Sequence, residues 1–449
     1  MTSGKPRDSS IRGELLRLAW PAMLEMVLHM SVWMADVIMV GRLDAIALSV
    51  TGFSGQVYWP IIFFVGGVGV AVTAVVSRRV GAGQGQEAAE VGSQGVLLAL
   101  GAGVVVGLAI WLAAPGIFAL TRLGPEVVSL GTAYLRIICF GAPFIVSALA
   151  LSGILRGFGD TRTPMLIAAF INILNIILGY SLIYGRLGLP ALGVLGSATA
   201  ALVAQVSGTL LFLGLIVGGR VGPRIHLRAV LRPDWTEIGR IARLAVPAGL
   251  ETLFVDLARI AGLLAVASLG SVSVAAHEVA AATESLSFMP GFGLAVATSI
   301  ITGQSLGRGD PARAKAGVRQ GALLGLGLMG GMGLLFFLFP EPLVRIFTND
   351  PAIIPVAAKC LRVVAIAQPI MAVQGAFAGA LRGAGDTRTP MLIGLVTSWG
   401  WRVTLTCVVV FALHRSLPWV WGVMVVDAAL KLLWTAAAYR RGRWLGVRV

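Results

Sequence analysis

Charged residues and cysteines are scarce in this sequence. Lys, Arg, Asp and Glu make up 12% of its 449 residues, whereas about a quarter is typical of a soluble domain. This leaves too little polar surface to cover a water-soluble globule, which argues against a soluble enzyme or a nucleic-acid-binding protein. The 3 cysteines include no CxxC pair, so neither a zinc site nor a disulfide framework is predicted.

Motifs for catalysis and for nucleotide use are missing as well. Neither the phosphate-binding loop GxxxxGK[ST] nor the zinc motif HExxH occurs in the sequence. We therefore expect no enzymatic activity, no organic cofactor and no metal centre. Residues 1–17 are polar and lack the apolar core of a signal peptide, so they are predicted to form a cytosolic tail.

Long apolar segments are what the sequence has in abundance. Hydrophobic residues make up 57% of the chain, enough for twelve bilayer crossings at about 20 residues each. The crossings must be helices, because lipid offers no partner for backbone polar groups. We predict an all-α polytopic membrane protein of twelve transmembrane helices. The predicted spans are 18–40, 51–77, 91–113, 128–152, 164–185, 191–218, 241–268, 276–303, 317–339, 358–381, 390–413 and 418–438.

The two halves of the sequence repeat each other. LRGFGDTRTPMLI at 155–167 recurs with one substitution at 381–393, an offset of 226 residues, and the same offset aligns LAWPAMLE at 18–25 with LAVPAGLE at 244–251. An even number of spans per copy makes the repeats parallel, which predicts two six-helix bundles around a central cleft. The predicted domains are a tail (1–17), a bundle (18–218), a cytosolic linker (219–240), a second bundle (241–438) and a C-terminal tail (439–449).

Basic residues are distributed unequally between the two sides of these spans. Of the 35 Lys and Arg, 24 lie in or within three residues of the tails and alternate loops of one side, 6 lie in or beside the loops of the other side, and 5 lie deeper inside spans. The positive-inside rule then predicts a multi-pass protein of the plasma (cytoplasmic) membrane with both termini cytosolic. The repeated LRGxGDTRTP segments are predicted to be tight cytosolic turns, with Pro164 and Pro390 opening the following helices.

Acidic residues inside the first span are candidate functional groups, because a charge in lipid is costly without a partner or water. Glu25, His29 and Asp36 fall on one face of a helix. They could form a ladder that binds protons, a cation or a substrate. Alternatively, Glu25 reaches the interface, Asp36 caps a neighbouring helix and His29 is a packed polar group.

Further acids lie in the seventh and eighth spans. Glu251 is the repeat mate of the glutamate in the first span, which favours a shared role. Asp256 lies three residues before Arg259 and could be neutralised by it. Glu284 shares a helix face with His277 and is a further candidate.

Polar residues of the fifth, eleventh and twelfth spans allow two readings. Asn175 could supply an amide oxygen to a cation or bond a neighbouring helix. Asp427 and Lys431, spaced i and i+4, most simply neutralise each other. Arg402 either joins them in a structural charge cluster or attracts an anionic substrate.

Several stretches resemble the multidrug and toxic compound extrusion (MATE) family over essentially the whole chain. These are DVIMVGRL at 36–43, the two LRGxGDTRTPM loops, VAAHEVAAATESLSFMPGFG at 274–293 and GRW at 442–444. The resemblance implies a secondary-active exporter that exchanges protons or sodium ions for organic, often cationic, compounds. It matches Asp36 to the acid of the family's first helix and Asn175 to an asparagine of its fifth-helix site, which implies a sodium position at these two residues.

The sequence also departs from the family pattern. Gly179 stands where some members carry an aspartate, and the tenth span holds Gln368 but no acid. Asp256 lies near the position of a seventh-helix acid of many members. Proton coupling and sodium coupling therefore both remain open. The residues favoured for ion coupling are then Asp36, Glu25, Glu251 and Glu284.

The expected function is efflux of small, lipophilic organic cations by antiport with protons or sodium ions, through alternating access between the bundles. We expect a monomer surrounded by membrane lipid, with no nucleic-acid partner. The alternative is a flippase for lipid-linked precursors, which would suit a cationic cleft. Because the charges in the spans are mainly acidic, the exporter is favoured over the flippase.

Overall fold

Helices make up nearly all of the described chain. The computed structural model describes residues 8–121, 124–219 and 232–447, and within these ranges it contains no β-strand. The helices are α1 (Asp8–Val40), α2 (Ala45–Gly81), α3 (Gly85–Ala119), α4 (Pro125–Cys139), α5 (Ala142–Gly157), α6 (Arg162–Tyr184), α7 (Val194–Val217), α8 (Trp235–Ala267), α9 (Ser271–Gly307), α10 (Pro311–Leu338), α11 (Pro340–Val344), α12 (Ile354–Ala365), α13 (Ala367–Gly383), α14 (Arg388–Ala412) and α15 (Leu417–Arg440). This confirms the predicted all-α class.

The membrane-crossing helices agree with the predicted spans. Among the described residues, 10 helices are long and apolar enough to cross a bilayer, with α4 and α5 together forming one of them. The pair α12 and α13, bent by 48° at its break, makes an eleventh. The remaining predicted span lies in α8, which is 33 residues long but carries Arg243, Glu251, Asp256 and Arg259.

Both ends of the described chain differ from the predicted tails. Helix α1 begins at Asp8, and Ile11 and Leu15 are completely buried. Apolar residues at 11, 15 and 18 form one face of the helix. The mean polarity of residues 1–17 does not show this face. Near the other end, Trp444 is buried. Of the predicted linker, residues 220–231 lie outside the described residues, and α8 already begins at Trp235.

The chain divides into two compact units whose boundaries fall inside helices. One unit spans Leu24–Gly249, and the other combines the residues up to Met23 with those from Leu250 onwards. The first turns of α1 and of α8 therefore each belong to the unit of the opposite sequence repeat. The sequence repeat suggested domain boundaries in the loops between helices. The packing of a helix end against a distant part of the chain leaves no local signal in the sequence.

Glycines allow the close helix crossings that hold these exchanged segments within their units. A Cβ added to Gly67 of α2 would lie 2.5 Å from the backbone nitrogen of Gly249 in α8, and one added to Gly249 would overlap the carbonyl oxygen of Phe64. In the other unit, a Cβ on Gly293 of α9 would lie 2.6 Å from the nitrogen of Met23 in α1. Positions 67 and 293 are repeat mates, so both units use the same crossing.

The two GDTRTP segments form tight turns, as predicted. Gly159 has a φ of 87°, and the carboxylate of Asp160 accepts hydrogen bonds from the backbone nitrogen and hydroxyl of Thr163 at 3.0 and 2.7 Å. Pro164 lies in the first turn of α6. The same features recur in the second copy at Gly385, Asp386, Thr389 and Pro390.

We expect Gly249→Ala to lower the free energy of unfolding by about 1–3 kcal/mol, the usual cost of overpacking a core. The control is Gly239→Ala on the same helix, where a Cβ would meet nothing within 4 Å and the change should stabilise the helix by up to about 1 kcal/mol. Thermal unfolding of the detergent-purified protein measures both. Equal stability of the two variants would contradict the close crossing.

Candidate ion and substrate site

Asp36 and Asn175 lie side by side in the unit Leu24–Gly249. Asp36 is half-buried near the end of α1, and its carboxylate faces the buried amide of Asn175 in α6. The Oδ1 atoms of both residues are buried, and neither has a hydrogen-bond partner within the described chain. The amide of Asn175 donates a hydrogen bond to the Asp36 carboxylate, and the oxygens that remain without a partner are suited to a bound proton or cation.

Contacts between α1 and α6 hold this pair in place. The hydroxyl of Tyr184 donates to the carbonyl oxygen of Met39 at 2.7 Å, and the amide of Asn172 donates to the carbonyl oxygen of Leu28 at 2.6 Å. Gly179, the position of an aspartate in some members of the resembling family, packs against Met39, whose Cε would lie 3.0 Å from an added Cβ. The site on α6 therefore consists of amides and holds no acid.

Glu25 and Glu251 each form a salt bridge with an arginine. Glu25 of α1 binds Arg156 at the end of α5 at 2.7 Å. Glu251 of α8 binds Arg382 at the end of α13 through two contacts of 2.6 and 3.3 Å. Both partners repeat at the offset of 226, so the two units contain the same ion pair. These glutamates, predicted as coupling candidates, are neutralised within their own units.

The two ion pairs differ in how completely they are bonded. The Glu251 pair is bidentate, whereas the Oε2 atom of Glu25 and the Nε atom of Arg156 are buried and have no hydrogen-bond partner among the described residues. His29, one turn further along α1, is exposed. Glu25 of the predicted ladder is bound by Arg156 of α5, and His29 interacts electrostatically with both residues, so the ladder stays a prediction.

Glu284, like Asp36, is a half-buried acid inside a span and has no ion pair in the described chain. It is half-buried on α9, and the amide of Gln368 approaches its Oε1 atom at 3.5 Å. The hydroxyl of Ser287 donates to the other end of the same amide at 2.7 Å. Gln368 is completely buried at the start of α13, beside the break that separates α12 from α13. The bend therefore brings an amide, and not an acid, to Glu284.

The remaining charge candidates are only partly brought together. Arg259 contacts Asp256 at 3.8 Å, a loose pair. Lys431 binds Asp427 at 2.7 Å, which agrees with the i, i+4 interpretation. Arg402 forms no ion pair within the described ranges, so the trio predicted from the sequence consists of one pair and a separate arginine. Glu278, on the same helix as Glu284, is exposed.

Two partners were missed by sequence reasoning. Arg156 and Arg382 belong to the LRG motif and were placed in turns, although each occupies the last turn of a helix. A signal was available: Glu25 and Glu251 repeat at the same offset as these two arginines. A charge that recurs in both copies together with an opposite charge favours a structural pair.

A helical membrane fold that is repeated twice and holds acids inside its helices is typical of the class of polytopic transporters. The MatE family model matches residues 21–181 and 247–408, which is most of the chain. The chain therefore belongs to the MatE family, the multidrug and toxic compound extrusion family of efflux transporters.

Known relatives cover nearly the full length. A probable multidrug resistance protein NorM from Thermotoga maritima is 32% identical over 442 residues, 98% of this chain and 94% of the relative. The fold also matches that of a MOP superfamily transporter from Pyrococcus furiosus, whose binding pocket is described as having reverse polarity. The TM-score is 0.90 and the identity 23%, and the match covers 99% of this chain and 100% of the other. In addition, the fold matches an outward-facing multidrug resistance MATE transporter with a TM-score of 0.88, 23% identity and coverage of 98% and 99%.

We expect Arg382→Gln to lower the free energy of unfolding by about 3 kcal/mol, because it leaves the Glu251 carboxylate without its partner. The double variant Glu251→Gln with Arg382→Gln should recover part of this loss, since no unpaired charge remains. A double-mutant cycle from thermal unfolding should give a coupling energy of about 0.5–3 kcal/mol. Strictly additive effects would show that the salt bridge contributes nothing.

Proposed function

We propose that this chain exports small, lipophilic organic cations in exchange for protons or sodium ions. The observation that carries the proposal is the pair of buried, unpartnered oxygens on Asp36 and Asn175. Membership of an efflux family supports it, as does similarity to relatives named as multidrug resistance proteins.

The proposed mechanism is competition at Asp36. Asp36 binds either a proton or, together with the Asn175 oxygen, a sodium ion. A cationic substrate would compete for the same negative charge. Binding of the driving ion then releases the substrate, and the reciprocal effect follows from linkage.

The acids have different roles in this proposal. Asp36 in one unit and Glu284 in the other bind ions or substrate, because neither is committed to an ion pair in the described chain. Glu25 and Glu251 act through their arginines as clamps between helices. Both termini are proposed to face the cytosol, so the driving ion enters from the exterior as access alternates between the two sides.

Asp36→Asn should abolish gradient-driven efflux while leaving thermal unfolding unchanged, because it keeps the shape of the side chain but removes its charge. Efflux of an ethidium-like cation from proteoliposomes measures this effect. Glu278→Gln is the matched control, since it neutralises an exposed acid and should retain wild-type efflux. Wild-type efflux by Asp36→Asn would remove this residue from the mechanism.

The driving ion is determined by imposing a proton gradient or a sodium gradient separately on the same proteoliposomes. Uptake of the cationic probe should follow one of the two gradients and stop when that gradient is dissipated. Drive by neither gradient would contradict antiport and favour the flippase.

A further inference from the structure

A small cavity lies within the unit that contains Leu250 and the residues after it. It has room for about one water-sized guest, with a volume of about 10 Å³. Its polar wall comes from three helices: Arg259 of α8, His277 of α9, and Arg402 and Thr406 of α14. The other lining groups are apolar, so every charged group on the wall is positive.

The positive charges of this cavity are poorly neutralised. Arg402 has no ion pair within the described ranges, since Asp427 is bound by Lys431 at 2.7 Å. Glu284 interacts electrostatically with Arg402 without forming an ion pair with it. Arg259, whose side chain is more than half exposed, approaches Asp256 through its Nε atom at 3.8 Å. Membrane proteins normally pair a charge in a span with an opposite one, and in the described part of the chain neither arginine of this cavity has a carboxylate at hydrogen-bond distance.

His277 provides a second, independent indication. Its side chain is nine-tenths buried, and its ring packs edge-on against Trp421 with centroids 5.6 Å apart. The Nδ1 atom is buried and has no hydrogen-bond partner in the part of the chain that the structure describes. A buried nitrogen without a partner is unusual and requires an explanation such as a bound ion or water.

The backbone of α14 is irregular at the same place. Residues Val396–Val403 form a π-helical stretch, which widens the helix and contains Arg402. Thr406 follows on the next turn and faces the same cavity. Single π-helical stretches inside α-helices occur frequently at functional sites.

We propose that this cavity binds a small inorganic anion of the chloride class. Arg402 and Arg259 supply the positive charge, and the Nδ1–H of His277 and the hydroxyl of Thr406 donate hydrogen bonds. The volume excludes an organic substrate, and the two guanidinium groups exclude a cation. The anion neutralises Arg402 and stabilises the packing of α8, α9 and α14, separately from the ion and substrate site at Asp36.

The test compares thermal unfolding of the full-length, detergent-purified protein in sodium chloride and in sodium gluconate at equal ionic strength. Sodium is constant in both, so binding of a coupling cation does not contribute. Chloride and bromide should raise the wild-type Tm by several degrees in a saturable manner. Arg402→Gln and His277→Leu should lose this rise. Arg415→Gln, which removes a basic residue of the same unit outside the cavity, should keep it.

Equal Tm values in chloride and gluconate would overturn the proposal, as would the same chloride effect in every variant. A second measurement does not depend on the folding of variants. Crystals of the wild-type protein in saturating bromide should show an anomalous peak between Arg402 and His277. An empty cavity under these conditions would also overturn the proposal.

Discussion

An ionisable side chain inside a membrane requires an opposite charge, and this requirement explains most of the charged contacts in the structure. Glu25 and Glu251 are bound by arginines at the ends of neighbouring helices, and Asp427 is bound by Lys431. Removing one partner of such a pair is destabilising, because it leaves the other charge without a partner in an apolar environment. Asp36 and Glu284, the half-buried acids without an ion pair in the described chain, stand out against this background and are the groups proposed to bind an ion or a substrate.

Comparison of the two repeats distinguishes structural contacts, which occur in both copies, from candidate binding residues, which occur in one. The two Glu–Arg pairs and the glycine crossings occupy equivalent positions at an offset of 226 residues. Asp36, by contrast, aligns with Gly262, Asn175 with Trp401, and Glu284 with Tyr58. The clamps are therefore symmetric, whereas each unit has its own unpaired acid. The two units therefore share their helix packing but differ in the acids that have no ion-pair partner in the described chain.

Much of the fold could be predicted from the sequence, because it depends on local composition and on the repeat. Long apolar segments gave the spans, and glycine, aspartate and proline gave the turns at 157–164 and 383–390. The candidate site was less accessible, since an ion pair between residues 131 positions apart, such as Glu25 and Arg156 or Glu251 and Arg382, leaves no signal in a helix pattern and shows only when the two repeats are compared. The buried start of α1 was also missed, because one apolar helix face does not show in the mean polarity of a mostly polar segment.

The central claim is that a cation and the exported substrate compete for the carboxylate of Asp36. The most direct measurement is calorimetric titration of the purified protein with an ethidium-like cation, in buffers of different ionisation enthalpy and at several sodium concentrations. The account predicts that binding displaces about one proton or one sodium ion from the wild-type protein and none from Asp36→Asn. Displacement of the same number of ions from both proteins would contradict it.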